Sequence, residues 1–401
     1  MSTTDRRLFL KSAVAGLSIA GVDLAGIRGM AMAAPGQPQI TSGACPLVVV
    51  FQRGAADGLS ILSPLDDPDF LAARPPGMRT ATSDATTELG STRFYWHPEA
   101  APIAQLYRER RLAAWQAVGL KDETRSHFEA QEMVERGVQS LNHLPDQLGW
   151  LTRQFGAASH PAPGGAAPLP LFAGSINLPR AMQGAPGALA SRDLQSGLDV
   201  GGGAAGFAAL QSLCAADRNH HNAAGMLAHL EGMKRLNAAL PQSGDKVLPY
   251  QTAGATPYPE SDPGVGLRSV ARVIHGGLGL RAAWVDQGGW DTHEGQPRRL
   301  DTQLRNLSLA LLAFDQDMRA RQQEYVLVVL TEFGRRLRSN RSNGTDHGHG
   351  SLALLMGDRV EGGKMMGRWP GLSTSQLDRG VDLAATTDTL EVLTRAASLS
   401  A

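Results

Sequence analysis

Two uninterrupted apolar runs, Leu47-Val48-Val49-Val50-Phe51 and Tyr325-Val326-Leu327-Val328-Val329-Leu330, constrain this chain more than any other feature. Successive side chains of a strand point to opposite sides, so a strand apolar at every position must be covered on both faces. Central strands of a sheet with helices above and below meet that demand. Shorter strands are read at Leu112–Val118, Leu280–Asp286 and Leu352–Met356, with one more at 169–173. Between them, helical spacing runs over 98–110, onward from Ser126, and over 206–240, 266–274, 297–321 and 384–397. In the segment 297–321, Leu300, Leu304, Leu307, Leu311 and Phe314 form one apolar stripe. The fold class expected is therefore α/β, a mostly parallel central sheet with helices on both faces. One domain is expected over residues 45–400, with an irregular and partly helical insertion at about 157–263, where Ala, Gly and Pro accumulate.

Ahead of the first strand, Arg6-Arg7-Leu8-Phe9-Leu10-Lys11 precedes a mildly apolar run from Ala13 to Ile27 and a small-x-small site, Ala31-Met32-Ala33. Residues 1–33 thus read as a twin-arginine signal peptide, with a periplasmic or extracellular destination. A membrane anchor is the alternative. Asp23 and Arg28 interrupt the run, which is short against the roughly 20 apolar residues of a span. No membrane span is expected after cleavage. Lys+Arg and Asp+Glu are equal at 38 each, so no electrostatic case exists for a nucleic-acid partner or an anionic membrane surface. Two cysteines, Cys45 and Cys214, cannot build a disulfide framework; one bridge and two separate thiols both remain open.

The chemistry gathers where strands end. In an open α/β sheet, ligands bind beyond the carboxyl ends of the strands. The first strand leads to Asp57, a carboxylate ligand or an Asp-Gly turn. Strand 280–286 leads to Asp291-Thr292-His293, whose carboxylate and imidazole, two residues apart on an extended loop, can grip one ion. After strand 325–330 come Glu332, a ligand or general base, and Arg335, whose planar fork suits an anion; an ion pair or first-turn helix charges are the alternative for both. Farther along, Asp346-His347-Gly348-His349 puts three ligand-type side chains within four residues among glycines. Ser126 opens a helix, with Glu129 three residues on; it is either a capping-box residue or a nucleophile, with His127 beside it. The sequence has no Gly-x-Ser-x-Gly elbow, Walker loop, dinucleotide fingerprint or His-Glu-x-x-His helix.

These motifs, taken together, resemble a large bacterial family of twin-arginine-exported proteins of unknown function within the alkaline phosphatase and sulfatase superfamily. The marks are the Arg-Arg leader, Gly54-Ala55-Ala56-Asp57-Gly58-Leu59, Ser126-His127-Phe128 and Gly149-Trp150-Leu151. Gly289-Trp290-Asp291-Thr292-His293, Glu332-Phe333-Gly334-Arg335 and Gly344-Thr345-Asp346-His347-Gly348 complete them. The resemblance implies one or two divalent metal ions (Zn, Mn, Fe or Ca), held by Asp57, Asp291, His293, Asp346 and His347, with His349 as a further ligand. It implies a phosphate or sulfate ester substrate, small or polymer-borne, with Ser126 as nucleophile. Glu332-Phe333 stands where that superfamily carries Asp-His. This keeps open a second reading, a non-catalytic binding or assembly protein with a partner at the cell envelope.

Overall fold

The two apolar runs lie side by side. In the computed structural model, β1 (Leu47–Gln52) is completely buried and pairs in parallel with a second buried strand over Val326–Leu330, in the register Leu47↔Val326 to Phe51↔Leu330. The structure describes residues 45–79, 86–142, 144, 146–156, 169–185, 187–216, 223–244 and 246–401. The expected leader, 1–33, lies outside them, as does the start of the expected insertion. No helix among the described residues is long and apolar enough to cross a membrane. Cys45 and Cys214 are both free and buried.

The chain divides into two compact units. The larger comprises residues 45–147, 252–267 and 284–401. Along the chain its main elements are β1, α1 (Ala101–Arg108), β2 (Leu112–Gly119), α2 (His127–Arg136), β3 (Ala282–Gln287), α3 (Gln296–Ala320) and β4 (Val326–Leu330). They are followed by β5 (Ser351–Gly357), β6 (Met365–Met366), β7 (Thr387–Asp388) and α4 (Thr389–Ser400). The strand order is β6-β2-β5-β4-β1-β3, with β7 also on β2. Helices cover this mostly parallel, mixed sheet. The stripe expected on α3 is the buried one: Leu300, Leu304, Leu307, Leu311 and Phe314 all leave solvent, each contributing about 1.5–3 kcal/mol. Pro297 at the helix start and Gly295 in the left-handed region, φ 55°, set where α3 begins.

One strand is reversed, and the reversal builds the site. β5 runs antiparallel to both β4 and β2, pairing Val329↔Leu354 and Ser351↔Val118. Its amino end therefore reaches the edge where β1, β2 and β4 end. The loops following β1 and β3 meet at that edge too, through Arg53 N–H to Gln287 O at 2.8 Å. Strand ends and the loop entering β5 thus converge on one rim. A three-stranded antiparallel sheet made of Leu62–Ser63, Thr86–Leu89 and Thr92–Trp96 accompanies this unit and was not expected from the sequence.

The other unit comprises the described parts of residues 148–251 and 268–283. It holds a short parallel pair, Leu171–Ala173 with Leu189–Ala190, and the helices Gly203–Ala216 and Ala223–Ala239, which replace the single helical stretch read at 206–240. Gln242–Ser243 and Lys246–Val247 form a small hairpin.

Candidate metal centre

Four side chains, from the first residue of α2 and from two loops, point at one spot on the rim. His347 Nε2 lies 3.0 Å from His127 Nε2, 2.9 Å from His293 Nε2 and 3.3 Å from Asp291 Oδ1. Asp291 Oδ1 is also 3.1 Å from His293 Nε2 and 3.7 Å from His127 Nε2. Donor atoms bound about 2.0–2.1 Å from one ion sit about 3.0–3.4 Å apart. His127, Asp291 and His347 alone already place three ligand atoms within 4.8 Å of one another.

Each imidazole is aimed by its other nitrogen. His127 Nδ1 meets Glu332 Oε1 at 2.7 Å, His293 Nδ1 meets Asp346 Oδ1 at 3.2 Å, and His347 Nδ1 meets the Arg125 carbonyl at 2.9 Å. All three partners are acceptors when the carboxylates are ionised, so the Nδ1 atoms carry the protons and the Nε2 lone pairs face the common spot. Metal-binding histidines show this arrangement, in which the outer partner fixes the tautomer and the ring plane. His127 is further fixed by stacking on Phe333, with ring centroids 4.9 Å apart.

Electrostatics agree with these assignments. Burial pushes the Glu332 carboxyl up, but His127, Gln131 and the Gly54 N–H hold it below its ordinary value. The Glu332 contact raises the pKa of His127. Burial likewise pushes Asp291 up; Arg335 reverses this and brings it to about 2. A hydrogen bond from Asn340 keeps Asp346 low. Burial lowers His347 and so favours its neutral, ligand-ready form.

Close backbone approaches make the convergence possible. Gly54 has φ +114°, and a Cβ there would lie 2.4 Å from the Asp291 nitrogen; its own N–H donates to Glu332 Oε1 at 2.9 Å. A Cβ on Gly344 would lie 2.2 Å from the His293 carbonyl.

Of the ligands expected from sequence, the structure brings together Asp291, His293 and His347, with Asp346 one step behind. It places two elsewhere. Asp57 is buried in an ion pair with Arg74 at 2.5 Å, and its oxygens also accept from Ser60 and Gln296. Arg74 holds its carboxyl low against the opposing effect of burial. Gln296 then accepts from Thr292 and Thr345, so Asp57 props the loops that carry the cluster instead of joining it. His349 is buried, with Nδ1 3.1 Å from Asp378 Oδ2 and Nε2 2.8 Å from the Leu120 carbonyl, leaving no nitrogen for an ion.

The expected catalytic residues also differ. Arg335 is 1% exposed and spends its guanidinium on the carbonyls of Ala55, Thr345, Gly54 and Trp290 and on the Asp291 carboxylate. It ties loops together and has no fork left for a substrate anion. Glu332 is fully buried and accepts from Gly54, Gln131 and Thr331, so it orients His127 instead of acting as ligand or base. Ser126 is the N-cap of α2, but its side chain makes no capping bond, and Thr124 takes Glu129 at 2.5 Å. The capping box is therefore not formed, and the Ser126 hydroxyl is uncommitted to the helix. His127 is the member of this cluster that the sequence did not mark as a candidate ligand. Its local signal was the Ser-His-Phe motif, because Glu332 and His347, which its ring nitrogens meet, lie more than two hundred residues away.

Comparison with known proteins adds a family and little else. Among curated proteins nothing matches. Among solved structures, the chain is similar to a provisionally assigned sulfatase from Bacteroides thetaiotaomicron at 9% identity and a TM-score of 0.32, covering 89% of this chain and 71% of that one. Residues 44–395 match DUF1501, described as a protein of unknown function, and the chain belongs to that family.

Proposed function

We propose that the protein is an exported, metal-dependent hydrolase of phosphate or sulfate esters, working in the periplasm or outside the cell. The observation that carries this reading is the set of three imidazole Nε2 atoms and one carboxylate oxygen meeting at one point, each ring held from behind by its own acceptor. Three nitrogens and one oxygen suit Zn, Mn or Fe; Ca prefers an all-oxygen shell. His127, His293, His347 and Asp291 would hold the ion, which when bound supplies Lewis acidity and charge stabilisation to an ester oxygen.

The chain's own residues supply position. The rim is half open, since Asp291 is about half exposed, so an ester group can reach the spot from solvent. Ser126, adjacent to His127 at the start of α2, is the nucleophile candidate, because its hydroxyl is not consumed by capping. Phe128, 90% exposed on the next turn position, offers an apolar contact to the rest of a substrate. The substrate is a small or polymer-borne ester.

One observation favours a second reading, a binding or assembly protein acting with an envelope partner. Arg335, the cation best placed by sequence to hold a substrate oxygen, is entirely committed to protein carbonyls and Asp291. Elemental analysis of the purified protein beside an Asp291→Ala/His347→Ala double variant separates the two. Near-stoichiometric Zn, Mn or Fe that disappears in the variant, followed by turnover of phosphate or sulfate esters that Ser126→Ala abolishes, supports the hydrolase. A protein that stays empty when offered these metals rejects it, and bound metal without turnover of any ester leaves the binding role.

A further inference from the structure

The acceptor that aims His347 is a backbone carbonyl, and a carbonyl is only as well placed as the loop that carries it. Residues 120–126 form an irregular connection between β2 and α2, yet the Arg125 carbonyl sits 2.9 Å from His347 Nδ1. Two struts hold this loop. At one end, the Leu120 carbonyl is met by His349 Nε2 at 2.8 Å, and His349 Nδ1 is anchored on Asp378 Oδ2 at 3.1 Å. At the other, the Arg125 guanidinium turns inward: Nε donates to Asp382 Oδ2 at 2.9 Å, while Nη2 donates to Asp378 Oδ2 at 2.9 Å and bonds Asp382 as well.

The receiving segment, 378–382, is itself closed and tied to the rim. Asp378 and Asp382 exchange backbone hydrogen bonds at 2.9 and 3.1 Å, Leu337 N–H donates to the Val381 carbonyl at 3.1 Å, and Arg336 N–H donates to the Asp346 carbonyl at 2.9 Å. Asp382 is fully buried. An ionic contact between a half-buried guanidinium and a buried carboxylate keeps its geometry far better than an exposed pair, where solvent and side-chain entropy compete. The exposed pair Arg379–Glu123 joins the same two segments and provides an internal contrast.

We propose that Arg125, locked by Asp378 and Asp382, is a positioning residue of the metal centre: its side chain fixes the carbonyl that sets the tautomer and ring plane of His347. This rests on reading the histidine cluster as a metal centre. It makes Asp378 and Asp382, which contribute no ligand, supporting residues of the site. It also gives His349 a role as the second strut of the same loop.

The test uses the full chain as wild type, Arg125→Ala, Arg125→Lys and the control Arg379→Ala. The His347 ring is first observed by nitrogen NMR in metal-free protein, and Zn affinity is then measured by competition with a chelator, with the Co(II) visible spectrum as a second signature. Wild type should show a single Nδ1–H tautomer of His347. Arg125→Ala should show a tautomer mixture, a changed Co(II) spectrum and a roughly 10–100-fold weaker affinity, the usual cost of losing an outer partner. Arg125→Lys should recover part of all three, and Arg379→Ala should change none of them. An Arg125→Ala protein that is folded, keeps the single tautomer and binds Zn within twofold of wild type overturns the proposal. If that variant fails to fold, an Arg125→Lys protein identical to wild type in both readouts overturns it equally. Should wild type bind no metal, the metal-centre reading fails, and the tautomer alone decides whether Arg125 positions His347.

Discussion

Replacing Glu332 by Gln isolates the charge behind His127. Glu332 is fully buried; Oε1 faces His127 Nδ1 at 2.7 Å, Gly54 N at 2.9 Å and Gln131 Nε2 at 2.9 Å, while Oε2 faces Thr331 Oγ1 at 2.8 Å. A glutamine keeps one oxygen for the first three donors. Its amide NH₂ would face Thr331, whose hydroxyl can accept from it and still donate to the Gln52 carbonyl at 2.7 Å. No buried donor is stranded, so the fold should survive and only the anion behind His127 is lost. Loss of such a partner weakens metal binding about 10–100-fold, or about 1.4–2.8 kcal/mol. Glu332→Ala instead strands the Gly54 N–H and Gln131, at about 1–3 kcal/mol each, while Thr331 keeps the Gln52 carbonyl, and should be markedly less stable as well as weaker in binding. Chelator competition gives the affinity and thermal melting of metal-free protein gives the stability. In the same metal-free protein the His127 pKa should fall in Glu332→Gln, because Glu332 is what raises it. A Glu332→Gln protein that binds metal within twofold of wild type, with His127 titrating unchanged, would refute the orienting role.

Three further outcomes are expected. Asp57 has a folded pKa below its unfolded value, so the stability it contributes is full above about pH 4 and is lost as pH falls toward the folded value. Asp57→Asn leaves Arg74 buried without its partner and should cost about 3–5 kcal/mol at neutral pH. Below about pH 4 its stability should fall less steeply than that of wild type, and parallel denaturation curves across that range would contradict this. Gly344→Ala drives a methyl to within 2.2 Å of the His293 carbonyl, so metal content should collapse while unfolding remains cooperative; unchanged metal content would show that the loop has room. Because the Glu332 contact raises the pKa of His127, metal uptake in weakly buffered solution should displace more proton from it near pH 6 than near pH 9. Equal proton release at both values would remove His127 from the ligand set.

Much of the framework was legible because burial on two faces leaves an unmistakable pattern. β1 and β4 are the apolar runs read from sequence, and α3 buries the stripe its spacing marked out. The direction of β5 was not legible: seven buried residues look alike whichever way a strand runs, yet its reversal is what delivers His347 to the rim. The candidate site divides the same way. Asp291, His293 and His347, which the structure brings together, stood out in the sequence because ligand types crowd within a few residues at strand ends. Asp57 and His349 carried the same signal, but Arg74, Asp378 and the Leu120 carbonyl, which consume them, are neighbours only in space. His127 had one ligand-type companion, Glu129 two residues on, but that carboxylate reads as a capping-box residue. The Glu332-Phe333 pair, read as a departure from a metal-binding dipeptide, is what holds that ring: the carboxylate grips Nδ1 and the phenyl stacks on its face.

Whether the cluster is merely a hydrogen-bonded knot can be argued from proton counting. With the three Nδ1 protons committed to Glu332, Asp346 and the Arg125 carbonyl, every neutral ring presents a lone pair at Nε2. His347 Nε2 then faces two other lone pairs at 3.0 and 2.9 Å. A single nitrogen has one position to offer, either one proton to give or one lone pair to share, so hydrogen bonds can relieve one of these contacts but not both. Charging His347 is a poor remedy, since burial favours its neutral form; charging His127, which Glu332 favours, turns one contact into a hydrogen bond and leaves the one between His293 and His347. A cation at the shared point relieves every contact at once, since each lone pair then has the same partner, and Asp291, held ionised by Arg335, supplies a negative oxygen beside it. The outer hydrogen bonds thus aim the Nε2 lone pairs and the Asp291 carboxylate at one shared point, the place at which we propose a metal ion binds.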